Sequence, residues 1–165
     1  MLERALRLAR HCARAGEVPV GAVVYRGDSI VAEAANARER DSDPTAHAEV
    51  VALRDAGRRA GSWRLDECRM AVTLEPCPMC AGALVNARLG RLVFAAHDPK
   101  AGACGSLYEI PIDPRLNHRL PVVGGVLALR AAAQLRGFFR SRRRNAGSED
   151  QTAVRDHGPR SPARA

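Results

Sequence analysis

Two short motifs in the 165-residue chain carry side chains that are suited to binding a metal ion. His47 and Glu49 are separated by one residue, and Cys77 and Cys80 lie in the segment Pro76-Cys77-Pro78-Met79-Cys80. Imidazole and thiolate groups are typical zinc ligands. A histidine and two cysteines leave the fourth tetrahedral position to water, which is typical of a catalytic zinc site and not of a structural one.

Glu49 is the residue that would do acid–base chemistry beside such a metal. Zinc lowers the pKa of a bound water to about 7, and Glu49 is placed to take its proton. Both motifs lie at predicted helix starts, where backbone N–H groups and the helix dipole favour thiolates. Cys77 and Cys80 are three residues apart and therefore share one helix face.

Each motif taken alone allows another interpretation. The two cysteines could form a redox pair, Cys68 or Cys104 could complete a closed structural site, and His47 could be an ordinary helix-capping residue. The odd number of five cysteines, without a secretory signal, argues against a disulfide framework. The two motifs together, each at a predicted helix start, favour catalytic zinc.

Composition and charge indicate a globular protein with an anionic partner. Apolar residues make up 46% and charged residues 27% of the chain, which is ordinary for a globular protein. The formal net charge is +8, of which residues 136–165 carry +5. This distribution indicates an anionic partner, with nucleic acid first, although a solubilising tail has the same composition.

Neither a membrane span nor a secretory signal is found in the sequence. No stretch approaches the roughly 20 apolar residues of a membrane helix, and residues 1–7 carry a charge every few residues and have no apolar signal core. A soluble, cytoplasmic protein without a membrane partner is therefore expected.

Hydrophobic spacing and turn residues predict alternating helices and strands. The predicted elements are helix 2–16, strand 18–25, a turn at 26–28, strand 29–35, helix 44–56 with Asp43 as its N-cap, strand 69–74, helix 77–87, strand 91–96, a loop at 98–121, strand 122–123 and helix 128–143. This order predicts an α/β sandwich in which the first two strands form a hairpin and the later βαβ step is parallel. Residues 145–165 form a basic tail that we expect to be disordered, because glycine, serine, proline and charged residues dominate it.

The zinc motifs resemble those of the cytidine deaminase superfamily of zinc hydrolases. Longer segments resemble the bacterial tRNA-specific adenosine deaminases in particular. These segments are EVPVGA (17–22), DPTAHAE (43–49), GSWRL (61–65), TLEPC (73–77), DPKAGACGSL (98–107), NHR (117–119) and FFRSRR (138–143). The resemblance covers nearly all of residues 2–144, and we take residues 1–144 as one zinc-dependent deaminase domain.

The resemblance implies a fold, a reaction and a set of site residues. The implied fold is a three-layer α/β/α cytidine-deaminase-like sandwich around a mixed sheet of about five strands. The implied reaction is hydrolysis of adenosine to inosine at the wobble position of a tRNA anticodon, with an arginine tRNA as the family expectation. It assigns one zinc per subunit to His47, Cys77 and Cys80, and the proton shuttle to Glu49.

The resemblance also implies contacts with the anticodon stem-loop and a homodimer. The implied substrate-binding residues are Asn36, Asp98, Lys100, Ser106, Asn117 and His118. Without the resemblance, Asn36 is interpreted as a loop residue that ends the second strand. The other five are interpreted as polar residues of turns.

Two other functions remain open at this point. Guanine deaminases share the His-Ala-Glu and Pro-Cys-Pro-Met-Cys motifs, so the zinc motif cannot separate a small-molecule deaminase from a tRNA deaminase. The loop at 98–107 and the basic final helix favour tRNA. A non-catalytic, zinc-stabilised RNA-binding module is the second alternative, and in it Glu49 has no chemical role.

Overall fold

A computed structural model of the protein describes residues 1–153, and it describes the side chains of residues 1–145. The elements in chain order are α1 (Leu2–Arg14), β1 (Gly21–Arg26), β2 (Ser29–Ala35), α2 (Arg38–Asp41), α3 (Ala48–Ala60), β3 (Arg69–Leu74), α4 (Pro78–Asn86), β4 (Arg91–Ala96), a 3-10 turn (Ile110–Ile112), β5 (Val122–Val123) and α5 (Ala128–Ala153). None of these helices combines the length and apolar character that crossing a bilayer needs.

The five strands form one mixed sheet in the order β2-β1-β3-β4-β5. β1 pairs antiparallel with β2 and with β3, whereas β3, β4 and β5 run parallel. The predicted hairpin, the parallel βαβ step through α4 and the mixed five-stranded sheet are therefore confirmed.

Each face of the sheet is covered by helices. Met70 and Phe94 pack in a large cluster with Leu84 of α4 and with residues of α3. Ala71, which points to the opposite face because strand side chains alternate, packs with Leu6 of α1 in a second cluster that includes residues of α5. Helices on both faces give the three-layer α/β/α sandwich that the resemblance implied.

The start of α3 differs from the prediction. A helix was predicted over residues 44–56 with Asp43 as its N-cap, but α3 spans Ala48–Ala60, and Gly61 follows it in a left-handed conformation with φ +62°. Asp43 caps a local turn instead, since its Oδ1 accepts hydrogen bonds from the N–H and hydroxyl of Thr45, both at 2.7 Å. The consequence is that His47 becomes the N-cap residue of α3.

The start of β1 and the end of α5 also differ from the predicted bounds. β1 begins at Gly21, three residues after the predicted start at residue 18. The final helix was predicted to end near residue 143, whereas α5 continues to Ala153. Residues 145–153 of the expected tail contain one glycine and no proline, so nothing in them interrupts a helix. The remainder of that tail, residues 154–165, lies outside the described residues.

Candidate zinc centre and substrate pocket

Two helix starts bring the three predicted metal ligands together. His47 is the N-cap of α3, Cys77 is the N-cap of α4, and Cys80 lies in the first turn of α4. Neither N-cap residue forms a side-chain capping hydrogen bond. The Nδ1 atom of His47 lies 3.4 Å from the Sγ of Cys80 and 3.7 Å from the Sγ of Cys77.

These separations fit a tetrahedral zinc ion. Zn–N and Zn–S bonds of about 2.0 and 2.3 Å at a tetrahedral angle place the nitrogen and sulfur about 3.5 Å apart. The three ligand atoms lie within 4.8 Å of one another, and they form the one such group within residues 1–145. Neither Cys68 nor Cys104 belongs to it, so this part of the chain supplies three candidate ligands.

The electrostatics of the cysteine pair favour a thiolate. The pKa of Cys77 is lowered to about 4, because the Cys80 thiol donates a hydrogen bond to it and His47 adds a second interaction. The pKa of Cys80 is raised because its thiol proton is shared with Cys77 and because it is buried. Zinc binds thiolates, so a ready negative charge on this pair suits a divalent cation.

Glu49 follows His47 in the first turn of α3 and faces the same pocket. The side chain is buried, with the residue 4% exposed. Burial raises the pKa of its carboxyl group, which moves the group toward the range where it both accepts and releases a proton near neutral pH.

A small pocket contains this arrangement. Its volume is about 150 Å³, and its walls are Val18, Val20, Asn36, Arg38, His47, Glu49, Leu74, Glu75, Cys77, Asp98 and Ala101. Pockets for drug-sized ligands are about 300–1,000 Å³, so this pocket admits only a small chemical group.

Asn36, a predicted substrate contact, lines this pocket and is oriented by Glu17. Glu17 is 3% exposed, and its Oε2 accepts a hydrogen bond of 2.9 Å from Asn36 Nδ2. Its Oε1 accepts from the backbone N–H of Arg40 at 2.8 Å. Because Asn36 Nδ2 donates to Glu17 Oε2, this contact fixes which end of the Asn36 amide faces Glu17. The sequence analysis missed Glu17, since only its place in the EVPVGA segment marked it.

Glu75 is a second buried carboxylate that the sequence analysis missed. It is 2% exposed, and it organises the loop that follows β4. It accepts hydrogen bonds from the backbone N–H groups of Asp98, Cys104 and Ser106 at 2.9–3.0 Å, and from the Ser106 hydroxyl. Burial acts against its ionisation, but these hydrogen bonds outweigh that effect and lower the pKa of Glu75. A Cβ at Gly102 would collide with this carboxylate, so the loop closes around it.

Replacing Glu75 with alanine tests this role by stability. Glu75→Ala leaves three buried or part-buried N–H groups without an acceptor, and each unsatisfied group costs about 1–3 kcal/mol. We expect the free energy of unfolding in urea to fall by at least about 2 kcal/mol. Glu67→Ala is the control, because the Glu67 side chain is 77% exposed in its pair with Arg26. Equal stability of the two variants would contradict the role given to Glu75.

The predicted contacts of the 98–106 loop divide between the pocket and its surroundings. Asp98 lines the pocket, and its Oδ1 accepts from the N–H groups of Lys100 and Ala101 at 2.9 and 3.2 Å. Lys100 lies in a neighbouring groove, and Ser106 is bonded to Glu75. Hydrogen bonds to the carboxylates of Asp98 and Glu75 therefore hold the loop in place.

Asn117 and His118 are not brought to this pocket by the described chain. The Oδ1 atom of Asn117 accepts a hydrogen bond of 2.6 Å from Arg88, and Nε2 of His118 lies 2.9 Å from the carbonyl oxygen of Leu89. Both residues line a separate cavity of about 600 Å³. Their proposed contact with substrate stays a prediction.

A basic groove of about 730 Å³ runs beside the pocket, between α5 and the loop after β4. It shares Val18, Leu74 and Asp98 with the pocket. Its other walls include one exposed aromatic residue and four cationic residues, which are Phe139, Lys100, Arg136, Arg140 and Arg143.

Known proteins are similar to this chain over most of its length. The family described as the cytidine and deoxycytidylate deaminase zinc-binding region matches residues 1–96. A tRNA-specific adenosine deaminase of Bacillus subtilis (strain 168) is 42% identical over 143 residues, which is 87% of this chain and 89% of that protein. The chain belongs to the tRNA-specific adenosine deaminase family.

Solved structures agree with this family membership. A structure from work on A-to-I editing by tRNA:A34 deaminases at the wobble position of transfer RNA matches this deaminase with a TM-score of 0.78 and 38% identity. The match covers 81% of this chain and 96% of that one. A guanine deaminase from Nitrosomonas europaea has the same fold, with a TM-score of 0.70 and 28% identity over 83% of this chain and 81% of that one. The deaminase fold predicted from the sequence is thus confirmed.

Proposed function

We propose that this protein hydrolyses adenosine to inosine at the wobble position of a tRNA anticodon stem-loop, acting in the cytoplasm. The observation that carries the proposal is that two adjoining cavities share lining residues. A zinc-type donor set with a buried glutamate lies in a pocket of small volume, and that pocket shares Val18, Leu74 and Asp98 with a groove lined by four cationic side chains.

The chemistry needs a metal and a proton shuttle. When bound by His47, Cys77 and Cys80, Zn²⁺ supplies Lewis-acid activation of water. Glu49 takes a proton from the attacking water, transfers it to N1 of the adenine, and then assists the loss of the amino group as ammonia. The atoms balance, since adenosine and water give inosine and ammonia. Burial of Glu49 suits this cycle, because a raised pKa lets one carboxylate accept and return the proton.

Asn36 is placed to hold the base. Glu17 accepts from one N–H of its Nδ2, and within the described residues no other hydrogen bond involves the Asn36 side chain. The second N–H and the Oδ1 atom are therefore free to pair with a purine edge, which offers both acceptors and donors.

The groove favours a polynucleotide over a free base. Lys100, Arg136, Arg140 and Arg143 can neutralise phosphates, and Phe139, 44% exposed, offers a face on which a base can stack. A deaminase of free guanine has no phosphate to bind and needs no such groove. Anticodon-loop bases are unpaired, so one of them can turn into the pocket at low cost.

A homodimer is part of the proposal. Exposed apolar side chains are concentrated in residues 107–116, where Leu107, Tyr108, Ile112 and Leu116 are 39–56% exposed. Such a concentration suits an interface with a second copy. Asn117 and His118 follow directly, so their contact with substrate would depend on that second copy.

One assay tests the function. The zinc-loaded protein is incubated with an arginine-tRNA anticodon stem-loop that carries adenosine at the wobble position, and separately with free guanine. We expect inosine in the stem-loop and no xanthine. A stem-loop with its adenosine one position away is the control and should stay unchanged. Xanthine without inosine would favour the guanine deaminase alternative, and neither product would favour the non-catalytic RNA-binding module.

A further inference from the structure

Arg38 is an unpaired cation at the substrate pocket. It lines the pocket that also contains Glu49 but not the neighbouring basic groove, and it is exposed to solvent. Among the described residues, its side chain has no ion pair or hydrogen bond. Arg40, two residues later on the same short helix, is paired with Asp41 at 2.6 Å. The guanidinium of Arg38 is therefore available to a ligand.

The backbone around Arg38 is held in place before any ligand binds. Glu17 accepts from Asn36 on one side and from the N–H of Arg40 on the other, at 2.9 and 2.8 Å. The N–H of Ala37 donates to the carbonyl oxygen of Ala46 at 3.0 Å. These bonds tie α2 to the residues that precede β1 and α3. A cation on an anchored backbone costs less ordering entropy when it binds.

The chemistry of the substrate shows what this cation can bind. A nucleotide within a strand has a phosphate on each side, so inserting its base into the pocket brings both phosphates to the pocket mouth. The cationic side chains of the groove can bind the phosphate on the groove side of the pocket. Arg38 is the one arginine or lysine of the described residues that lines the pocket itself. Guanidinium groups bind phosphate oxygens in pairs, which gives orientation as well as charge.

We propose that Arg38 binds a phosphate adjacent to the target nucleotide, on the side of the pocket away from the basic groove. The strand then crosses the pocket mouth between Arg38 and the groove, with the target base turned inward between two held phosphates. Arg38 thereby favours a base within a strand over a free base. This inference rests on the proposed function.

The test compares Arg38→Gln with Arg40→Gln, which removes the same charge from the same helix but outside the pocket. Deamination of the stem-loop is measured over a range of salt concentrations, together with stem-loop binding by fluorescence anisotropy. For Arg38→Gln we expect KM and Kd to rise about tenfold, with kcat changed less than about twofold. The slope of log Kd against log salt should fall by about 0.7, as for the loss of one single-strand phosphate contact. Arg38→Lys should recover part of the affinity.

The outcomes separate this inference from the proposed function. If the Arg38→Gln and Arg40→Gln variants have the same Kd and the same salt slope, Arg38 does not bind a phosphate. A fall in kcat or in zinc content with an unchanged salt slope would also overturn the inference, because Arg38 would then act on the metal centre. If the wild-type protein forms no inosine, the proposed function fails, whereas the anisotropy comparison still decides whether Arg38 contacts the RNA backbone.

Discussion

Glu49→Gln is expected to abolish deamination while leaving the fold and the metal in place. Glutamine has nearly the same shape as glutamate, but its amide cannot take a proton from water or return it to the base. General acid–base catalysis contributes about 10²–10⁴-fold, and Glu49 acts in more than one proton transfer. We therefore expect kcat to fall at least about a thousandfold. The measurement is single-turnover formation of inosine in the stem-loop, with zinc content determined by elemental analysis.

Glu39→Gln is the matched control for this variant. Glu39 is an exposed glutamate of α2 that does not line the pocket, so its substitution should leave turnover unchanged. The free energy of unfolding of Glu49→Gln is a second measurement. Because burial raises the pKa of Glu49, a neutral amide there should not lower the free energy of unfolding. Turnover retained in Glu49→Gln would refute the proton shuttle, and loss of zinc in that variant would show that Glu49 acts through the metal site.

Strand positions and the grouping of the metal ligands were predictable because they depend on local patterns. β2, β3, β4 and β5 have the predicted boundaries, since alternating or continuous apolar residues between turn signals specify a strand over a few positions. The HAE and PCPMC motifs occur at the starts of α3 and α4, which follow β2 and β3. Because β2 and β3 run in the same direction, both helices start at the same edge of the sheet. The structure accordingly groups His47, Cys77 and Cys80.

The carboxylates that organise the pocket could not be predicted in the same way. Glu17 and Glu75 bond to groups 19–31 residues away, and most of their partners are backbone N–H groups that leave no trace in the side-chain pattern. Asp43-Pro44 was misread because the same dipeptide suits a helix start and a turn. The four-residue helix α2 has no buried side chain, so no hydrophobic periodicity marks it. Arg38 was missed for the same reason.

Cys77→Ala is expected to lose zinc and, with it, deamination. A site with three protein ligands that loses a thiolate keeps two, and the charge that attracts the cation is reduced as well. Metal content should fall from one zinc per chain to near zero, and inosine formation should fall below detection. Because metal affinity contributes to the folded state only, the wild-type protein should melt at a lower temperature after chelation, whereas the variant should not respond to a chelator.

Cys104→Ala is the control that also tests the type of site. Cys104 is buried, and its Sγ lies 3.9 Å from the carbonyl oxygen of Pro76, next to the proposed ligand Cys77. Burial raises the pKa of its thiol to about 12, so it resists forming the thiolate that zinc needs. We expect Cys104→Ala to keep its zinc and its turnover. If that variant lost its metal, Cys104 would be a fourth ligand, and a closed site of four protein ligands would leave no coordination position for the water that the reaction consumes.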